Sequence, residues 1–432
     1  MTNSPPDFSS SRSHFPAFEE VDDDGNSFVF FDGPAGTQVP REVIDAVATH
    51  YRRSNALDGG EFIISQRCSA IVDGARAAMA DFLNAPSPDE IIFGPNMTTL
   101  TYSMSRAIGR MLDPGDEAIV SRLDHDANVT PWKTLAERGI AVREARFDPD
   151  ECRLDLDHLA SLISPKTRLV AVGYASNLVG TINPVARIAE LAHAVGAWLY
   201  VDAVHYAPHG PIDVPSIDCD FLVCSAYKFF GPHVGALWAK RGILESITPY
   251  QVEPADKSIP VGFETGMLNF EGLAGTIAAI DYLGAIGQDH PVEIPERWQS
   301  AGGRRTRLKR AMTAIAEYER DLCGTLIELL SSIQGLRIYG IIDTASLSDR
   351  CPTISFRIEG HTPADICHYL GERNIFAWHG NNYALGVTRD LGIEESGGVV
   401  RVGIAHYNTR DDVQRLTEAL EKLVSGYVGQ MH

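Results

Sequence analysis

The sequence has little positive charge and no long apolar run. Its 432 residues include 37 Lys and Arg against 57 Asp and Glu, which gives a formal net charge of -20. Nucleic acids and anionic membranes bind basic surfaces, so this balance argues against either as the main partner. No apolar run approaches the ~20 residues of a membrane span, and the N-terminus has neither the basic nor the apolar region of a signal peptide. We therefore expect a cytoplasmic protein with no nucleic-acid or membrane partner.

Cysteine is also scarce. The seven cysteines are odd in number, scattered along the chain and free of CxxC pairs. Disulfide frameworks and zinc sites need paired or closely spaced cysteines, so neither is expected here. We predict reduced thiols and no metal site.

Short apolar runs alternate with segments of helical spacing between about residues 28 and 240. Strands that are apolar throughout and interleaved with helices indicate an α/β fold with a mainly parallel sheet covered on both faces. The predicted strands are "EIIF" (90–93), "EAIVS" (117–121), "RLVAVGY" (168–174), "WLYVD" (198–202), "FLVCS" (221–225) and "GALWA" (235–239).

Composition changes twice along the chain and predicts three segments. Residues 1–26 are polar and rich in Ser, Asp and Pro, so we predict an N-terminal tail and an ordered core that begins near Phe28. From about residue 300 a long amphipathic helix, roughly Arg305 to Ser332, is followed by fewer strands and more helix. This predicts a large domain over 27–300 and a small α+β domain over 301–432, with the N-terminal part of the large domain able to pack with the small one.

Polar side chains follow the predicted strands at the point where each strand ends. Because the carboxyl ends of parallel strands meet at one edge, where ligands bind, these side chains are expected to share a rim. They are the pair Thr98 and Thr99 at a helix start, His125, Asn177, Asp202 with His205, and Tyr227 with Lys228. Each also has an ordinary structural interpretation: the Thr pair and Asp202 as helix caps, Asn177 in a turn, Lys228 reaching solvent. Their joint arrangement at one edge favours a functional site.

Five segments resemble, in order, the class V aminotransferase and cysteine desulfurase family of pyridoxal-phosphate enzymes. They are "LDHDANVTPW", "SNLVGTINPV", "VDAVHYAPH", "SAYKFFGPHVGALW" and "RVGIAHYNTRDDVQRL", and the resemblance covers about residues 27 to 425. It implies the aspartate aminotransferase fold (fold type I), with a mainly parallel seven-stranded sheet and a smaller C-terminal α+β domain. It also implies pyridoxal 5'-phosphate as cofactor and a homodimer.

The resemblance further implies roles for individual residues. Lys228 would form the internal Schiff base, His125 would stack on the pyridine ring, and Asp202 would pair with the ring nitrogen. The implied phosphate ligands are Thr98, Thr99, His205, Ser225 and Tyr227. Asn177 would contact the ring hydroxyl or the substrate carboxylate, and Arg401 would bind the α-carboxylate as a bidentate fork. Candidates for the substrate pocket are Ala35, Gly36 and His379, together with Trp378, Asn381, Asn382 and Tyr383.

The chemistry of two of these side chains supports the implied roles. A Schiff-base lysine needs a neutral amine, and burial of Lys228 among aromatic residues disfavours its ammonium form. The planar guanidinium of Arg401 can bind a carboxylate through two parallel hydrogen bonds, which a lysine cannot imitate.

The sequence departs from the cysteine desulfurases at the catalytic cysteine. The loop before Arg401 reads "AWHGNNYALGVTRDLGIEESGGVVR" and contains no cysteine; Cys367 lies in the preceding predicted helix. Only a thiolate takes sulfur directly from bound cysteine and holds it as a persulfide, so sulfur relay is not expected.

The leading prediction is therefore a lyase or transferase that acts on an L-amino acid through an external aldimine and cleaves a C–S bond at Cβ by β-elimination. The alternatives are a β-decarboxylating or aldol-type carbon–carbon enzyme, and an aminotransferase or epimerase. A non-catalytic cofactor-binding module is disfavoured by the complete set of residues from Thr98 to Arg401.

Overall fold

The computed structural model describes residues 6–290 and 292–428. Its helices are α1 Arg41–Arg53, α2 Ile63–Leu83, α3 Met97–Gly109, α4 Thr130–Lys133, α5 Leu156–Leu162, α6 Val185–His193, α7 Val214–Ile217, α8 Arg241–Ser246, α9 Phe270–Asp289, α10 Glu296–Gln299, α11 Gly303–Ser331, α12 Pro363–Gly371, α13 Leu385–Asp390 and α14 Arg410–Val428. Among these described helices, none combines the length and the apolar character needed to cross a membrane.

The strands, in chain order, belong to two larger sheets and two short pairs. They are β1 Val29–Phe30, β2 Ile91–Gly94, β3 Glu117–Ser121, β4 Ala141–Ala145, β5 Phe147–Asp148, β6 Arg153–Leu154, β7 Thr167–Gly173, β8 Trp198–Asp202, β9 Phe221–Ser225, β10 Gly235–Ala239, β11 Leu336–Tyr339, β12 Thr353–Ile358, β13 Ile375–Phe376, β14 Trp378–Gly380 and β15 Val399–Gly403.

The larger sheet has seven strands in the order β2-β10-β9-β8-β7-β3-β4. All neighbours from β9 to β4 pair in parallel, and β10 is antiparallel to both β9 and β2. The predicted mainly parallel, seven-stranded sheet is therefore confirmed. The carboxyl ends of its parallel strands lie at one edge, as the sequence predicted.

Both faces of this sheet are buried. Along β7, Val170 and Val172 pack into one apolar cluster, and Leu169 and Ala171 pack into the cluster on the opposite face. Side chains alternate between the faces of a strand, so a strand that is apolar at every position must be covered on both sides. This explains why these strands appear in the sequence as continuous apolar runs.

The C-terminal part forms a four-stranded antiparallel sheet in the order β11-β12-β15-β14. Helices α11, α12 and α14 contribute Leu326, Ile366 and Leu416 to the apolar cluster that covers it. Val29 and Phe31 belong to the same cluster, and β1 pairs in parallel with β13. The start of the chain thus contacts the C-terminal part, while the domain boundaries themselves stay a prediction.

Of the predicted tail over 1–26, residues 1–5 lie outside the described residues, and residues 6–26 contribute side chains to the core, before its predicted start near Phe28. Phe8 and Phe15 are 1% and 0% exposed and belong to the main core. The ring of Phe15 packs edge-on against those of Phe230 and Tyr407, at centroid distances of 5.9 and 5.1 Å. Two large aromatic side chains bury enough apolar area to order a segment whose other residues are mostly polar.

Candidate active site

A cavity of about 650 Å³ lies at the carboxyl ends of the parallel strands and extends to β14 and β15. Residues from the larger sheet and from the C-terminal sheet both line it. Of the predicted site residues, it is lined by Ala35, Thr98, His125, Asn177, Asp202, His205, Tyr227, Lys228, His379 and Arg401. The other predicted pocket residues Trp378, Asn381, Asn382 and Tyr383 also line it.

Lys228 follows β9 and places its amine inside this cavity. Its Nζ donates hydrogen bonds to the carbonyl oxygens of Pro34 and Ala35, the latter at 2.9 Å. Burial lowers its pKa to about 7, and the positive charge of Arg401 acts in the same direction, whereas Asp202 opposes the shift. A large fraction of the amine is therefore neutral near pH 7, as a nucleophilic lysine requires.

The turn that carries Lys228 is held by the segment "FDGPAGT". Thr37 donates its N–H to the carbonyl of Tyr227 at 3.1 Å and accepts the N–H of Phe230 at its Oγ1 at 2.9 Å. Phe230 is buried with a φ of 69°, a left-handed conformation that costs a bulky residue energy. Gly36 is not among the residues that line the cavity, so its predicted substrate contact stays a prediction.

Asp202 and His125 lie on the walls of the cavity. The Oδ1 of Asp202 accepts the N–H of Val204 at 2.9 Å. Burial raises the Asp202 pKa to about 6, although the positive charge of Lys228 acts to lower it. The Nδ1 of His125 accepts the N–H of Ala127 at 3.0 Å, which places the ring proton on Nε2. Burial and the nearby cations lower the His125 pKa to about 4, so its imidazole is neutral.

Arg401 and Asn177 carry polar atoms without partners. Arg401 is 4% exposed; its Nη1 donates to the carbonyl of Asn177 at 2.9 Å, but its Nε has no partner among the described residues. Burial lowers its pKa to about 9. The Nδ2 of Asn177 donates to the carbonyl of Asn382 at 2.7 Å, and its Oδ1 has no partner. Buried polar groups are normally satisfied, so these atoms mark a place for a ligand.

The start of α3 faces the cavity, but not every predicted phosphate ligand does. Thr98 lines the cavity, whereas Thr99 is exposed and hydrogen-bonds to the Asn96 side chain at 2.9 and 3.1 Å. Ser225 is buried and its Oγ accepts the N–H of Met97 at 3.0 Å. Neither Thr99 nor Ser225 is among the lining residues, so their phosphate contacts stay predictions.

His205 lies on the same wall of the cavity. It is 4% exposed, its Nε2 has no partner in the part of the chain that the structure describes, and burial holds its pKa well below the usual value. Its ring centroid is 5.6 Å from that of His209, whose Nδ1 is 2.8 Å from Glu319 Oε2. A neutral, unpartnered imidazole nitrogen is available as a hydrogen-bond donor or acceptor for a ligand.

Three groups of the site were missed in the sequence. The carbonyl of Pro34 binds the Lys228 amine, Glu394 lines the cavity, and Asp124 lies buried directly before His125. Burial raises the Asp124 pKa to about 7, and its Oδ2 accepts the side-chain N–H of Asn128 at 2.9 Å. Asp124 was detectable as a carboxylate at a strand end, whereas a backbone carbonyl leaves no signal in a sequence.

The donor set fits pyridoxal 5'-phosphate. That cofactor presents an aldehyde, a ring nitrogen and a phosphate, which need an amine, a carboxylate and an anion site. The cavity offers Lys228, Asp202 and the N-terminal end of α3 with Thr98, respectively. The unpartnered Nε2 of His205 and Oδ1 of Asn177 add polar atoms that a bound group would satisfy.

Comparisons with known proteins agree with this fit. The class V aminotransferase family model matches residues 29–297 and 308–416. A cysteine desulfurase from Serratia proteamaculans is 31% identical over 434 residues, which cover 95% of this chain and 97% of that protein. The solved structure of cysteine desulfurase CsdA from Escherichia coli is similar with a TM-score of 0.81 at 26% identity, covering 98% of this chain and 99% of that one.

A further likeness concerns the fold alone. The apo cysteine desulfurase of Thermococcus onnurineus gives a TM-score of 0.84 at 24% identity, over 98% of this chain and 99% of that one. The family model includes the strand that carries Arg401, and the Serratia relative covers 95% of this chain. The chain belongs to the class V aminotransferase family and is an enzyme that uses pyridoxal 5'-phosphate.

Proposed function

We propose that this protein is a C–S lyase that cleaves the Cβ–S bond of an L-cysteine derivative by β-elimination. One observation carries the proposal: the cavity holds Lys228, Asp202 and Arg401 together, while none of the chain's cysteines, all within the described residues, lines it. Lys228, Asp202 and Arg401 suit amino-acid chemistry with pyridoxal phosphate. The lack of a thiol disfavours transfer of sulfur to the enzyme.

In this proposal Lys228 would bind the cofactor covalently, Asp202 would keep its ring nitrogen protonated, and the neutral imidazole of His125 would pack against it. Thr98, the start of α3, His205 and Tyr227 would hold the phosphate, with Thr99 and Ser225 as further donors. The cofactor supplies one thing, an electron sink that stabilises negative charge at Cα.

The remaining steps belong to the chain's own residues. Arg401 binds the α-carboxylate and Asn177 supports it, which fixes the orientation of the Cα–H bond. The substrate amine displaces Lys228 from the cofactor, and the freed, neutral amine of Lys228 then accepts the Cα proton. The Cβ–S bond then breaks with its electron pair on sulfur, and the thiolate takes up a proton. Water hydrolyses the released three-carbon enamine to pyruvate and ammonia.

The surroundings of the cysteines support release of a free thiol. Cys367 is the most accessible of the seven and lies within α12, where burial raises its pKa to about 12. The other six cysteines are buried. A thiol with so high a pKa is almost entirely protonated near pH 7 and is a poor nucleophile. The relatives named cysteine desulfurase share the fold and the cofactor site with this chain. In this chain, however, no thiol among the described residues lines the cavity.

The proposal includes an amino-acid substrate, a homodimer and a cytoplasmic location. Leu57, Phe62 and Ile63 lie close together in the sequence and are 62%, 58% and 58% exposed. Exposed apolar side chains of this size are typical of a protein interface, which supports the homodimer. The seven free thiols support a reducing compartment.

Product analysis tests the proposed reaction. Holoenzyme is incubated separately with S-methyl-L-cysteine, L-cysteine and L-aspartate, and the Lys228→Ala variant is the control. Pyruvate, ammonia and thiol from the first substrate support the lyase. Alanine together with a protein-bound persulfide from L-cysteine, or carbon dioxide from L-aspartate, would contradict it.

A further inference from the structure

Trp378 lies beside the arginine that is proposed to bind the substrate carboxylate. In the antiparallel pair of β14 and β15, Trp378 is directly opposite Arg401, and His379 is opposite Val400. Directly opposite residues project their side chains to the same face, at a Cβ separation of about 5 Å. Trp378 and Arg401 therefore share one face, both line the cavity, and Trp378 is 53% exposed.

Tyr383 is held at the same cavity by a strained backbone. Asn382 and Tyr383 have φ values of 48° and 61°, two successive left-handed residues that are not glycine. Such conformations cost about 1–3 kcal/mol each and persist only where neighbours enforce them. Here the carbonyl of Asn382 accepts from Asn177 Nδ2, and the carbonyl of Tyr383 accepts from the N–H of Asp126, both at 2.7 Å.

The ring of Tyr383 faces a second planar group. It lies parallel to the imidazole of His125, with 5.3 Å between centroids and 18° between planes, yet the residue is 72% exposed. An exposed aromatic ring at a fixed position costs solvation and conformational freedom without gaining burial in the protein. A ligand that stacks on the ring would recover that burial.

The cavity has to hold both the cofactor and the substrate. Its volume of about 650 Å³ lies within the range typical of ligand sites, about 300–1,000 Å³. The groups proposed to bind the amino-acid end are buried, whereas Trp378 and Tyr383 are exposed. We call these two residues the aromatic mouth. Buried polar groups that bind the amino-acid end, together with exposed aromatic rings at the cavity entrance, fit an amino acid that bears a planar apolar substituent.

We propose that the aromatic mouth binds an aromatic ring carried on the substrate sulfur, so that the enzyme acts on L-cysteine S-conjugates with an aryl or heteroaryl substituent. This inference rests on the proposed C–S lyase function and names its substrate class. The reaction balances as Ar–S–CH2–CH(NH3+)–COO− plus water giving Ar–SH, pyruvate and ammonium. An aromatic thiolate delocalises its charge into the ring, which makes it a good leaving group.

Binding of unreactive analogues tests the aromatic mouth apart from catalysis. 3-(Phenylthio)propanoate and 3-(methylthio)propanoate keep the carboxylate and the thioether but lack the α-amine, so holoenzyme binds them without turnover. By calorimetry we expect the phenyl compound to bind about 10-fold more tightly, because ring stacking adds to apolar burial. Trp378→Ala and Tyr383→Ala should each weaken binding of the phenyl compound about 3- to 10-fold more than binding of the methyl compound.

Two further variants sharpen this test. Tyr250→Ala removes a 48% exposed tyrosine outside the cavity and should change neither affinity. Tyr383→Phe keeps the ring and should keep the preference for phenyl. Cofactor loading and circular dichroism confirm that each variant is folded. Equal affinity for the two acids, or equal weakening of both by the mouth variants, would overturn the inference.

Turnover separates failure of the inference from failure of the proposed function. We expect kcat/KM for S-phenyl-L-cysteine to exceed that for S-methyl-L-cysteine at least 10-fold, with the preference lost in Trp378→Ala. If both conjugates are cleaved equally well, the lyase stands and the aromatic mouth is wrong. If neither is cleaved while the phenyl acid still binds more tightly, the mouth stands and the lyase is wrong.

Discussion

Lys228 and Lys309 are two buried lysines in similar surroundings, each with its amine bound to two backbone carbonyls. Lys228 donates to Pro34 and Ala35, and Lys309 donates to Phe82 and Ile212. Burial lowers the pKa of each to about 7. The two differ in location, since Lys228 lines the cavity and Lys309 lies in α11 within the core. A shifted pKa therefore does not identify the reactive lysine; access to the cavity does.

This pair gives a matched test of covalent cofactor attachment. After borohydride reduction, mass spectrometry should find pyridoxyl phosphate on the peptide that contains Lys228 in the wild-type protein and in Lys309→Met. Lys228→Ala should lack the modification. Its activity should fall about 10²–10⁴-fold, because the group that moves the Cα proton is gone. Its circular dichroism should stay unchanged.

Lys309→Met should keep its activity and lose stability. Two buried carbonyls lose their donor, so its free energy of unfolding should fall by about 1–3 kcal/mol. Modification of a peptide containing Lys309, or full activity of Lys228→Ala, would contradict the assignment.

Arg401 should act on substrate binding. Arg401→Lys keeps the positive charge but loses the planar fork, so we expect the apparent KM for an amino-acid substrate to rise about 10- to 100-fold, as for the loss of one charged hydrogen bond. The affinity for pyridoxal phosphate should change little. Arg337→Lys, on β11 and exposed, is the control and should leave KM unaltered. An unchanged KM in Arg401→Lys would refute the proposed contact.

The strands of the larger sheet were predictable where they are apolar on both faces. The run "EAIVS" is β3 and "FLVCS" is β9, residue for residue. Strand β4 was missed because it lies at the edge of the sheet, where only Ala145 of its five residues is fully buried. An edge strand with charged, exposed positions lacks the continuous apolar pattern that identifies its neighbours.

The site was predictable to the extent that strand ends determine it. His125, Asp202 and Lys228 share the cavity because each follows a strand of one parallel sheet. The carbonyl of Pro34 and the side chain of Glu394 reach the cavity through loop packing between distant parts of the chain, which no periodic pattern records. The burial of Phe8 was missed for a similar reason, since one aromatic in a polar segment gives no periodicity.

Cys367 should be dispensable for catalysis. Cys367→Ser removes the most accessible thiol, which is half-buried and does not line the cavity, so we expect kcat for cleavage of a cysteine S-conjugate to stay within about twofold of wild type. Treatment of the holoenzyme with iodoacetamide should likewise spare activity, because the other six thiols are buried. Loss of activity in Cys367→Ser, with a persulfide detected on the wild-type residue, would restore the sulfur-relay mechanism and contradict the proposed elimination.

Asp124 should make stability depend on pH in a defined direction. Burial raises its pKa from 3.8 to about 7 in the folded protein. The folded state therefore binds this proton more tightly than the unfolded state does. The stabilisation is fully present below about pH 4, decreases as pH rises, and is lost above about pH 7.

Asp124→Asn isolates this effect from the other titrating groups. The measured quantity is the free energy of unfolding of wild-type apoprotein minus that of the variant, from urea titrations at several pH values between about 4.5 and 8. Other groups contribute to both proteins and cancel, so the difference should decrease steadily as pH rises and level off above about pH 7. Asp157→Asn, at an exposed carboxylate on α5, serves as the matched control for the replacement of a carboxylate by an amide. A difference for Asp124→Asn that is flat, or that grows with pH, would show that this carboxyl is charged in the folded protein.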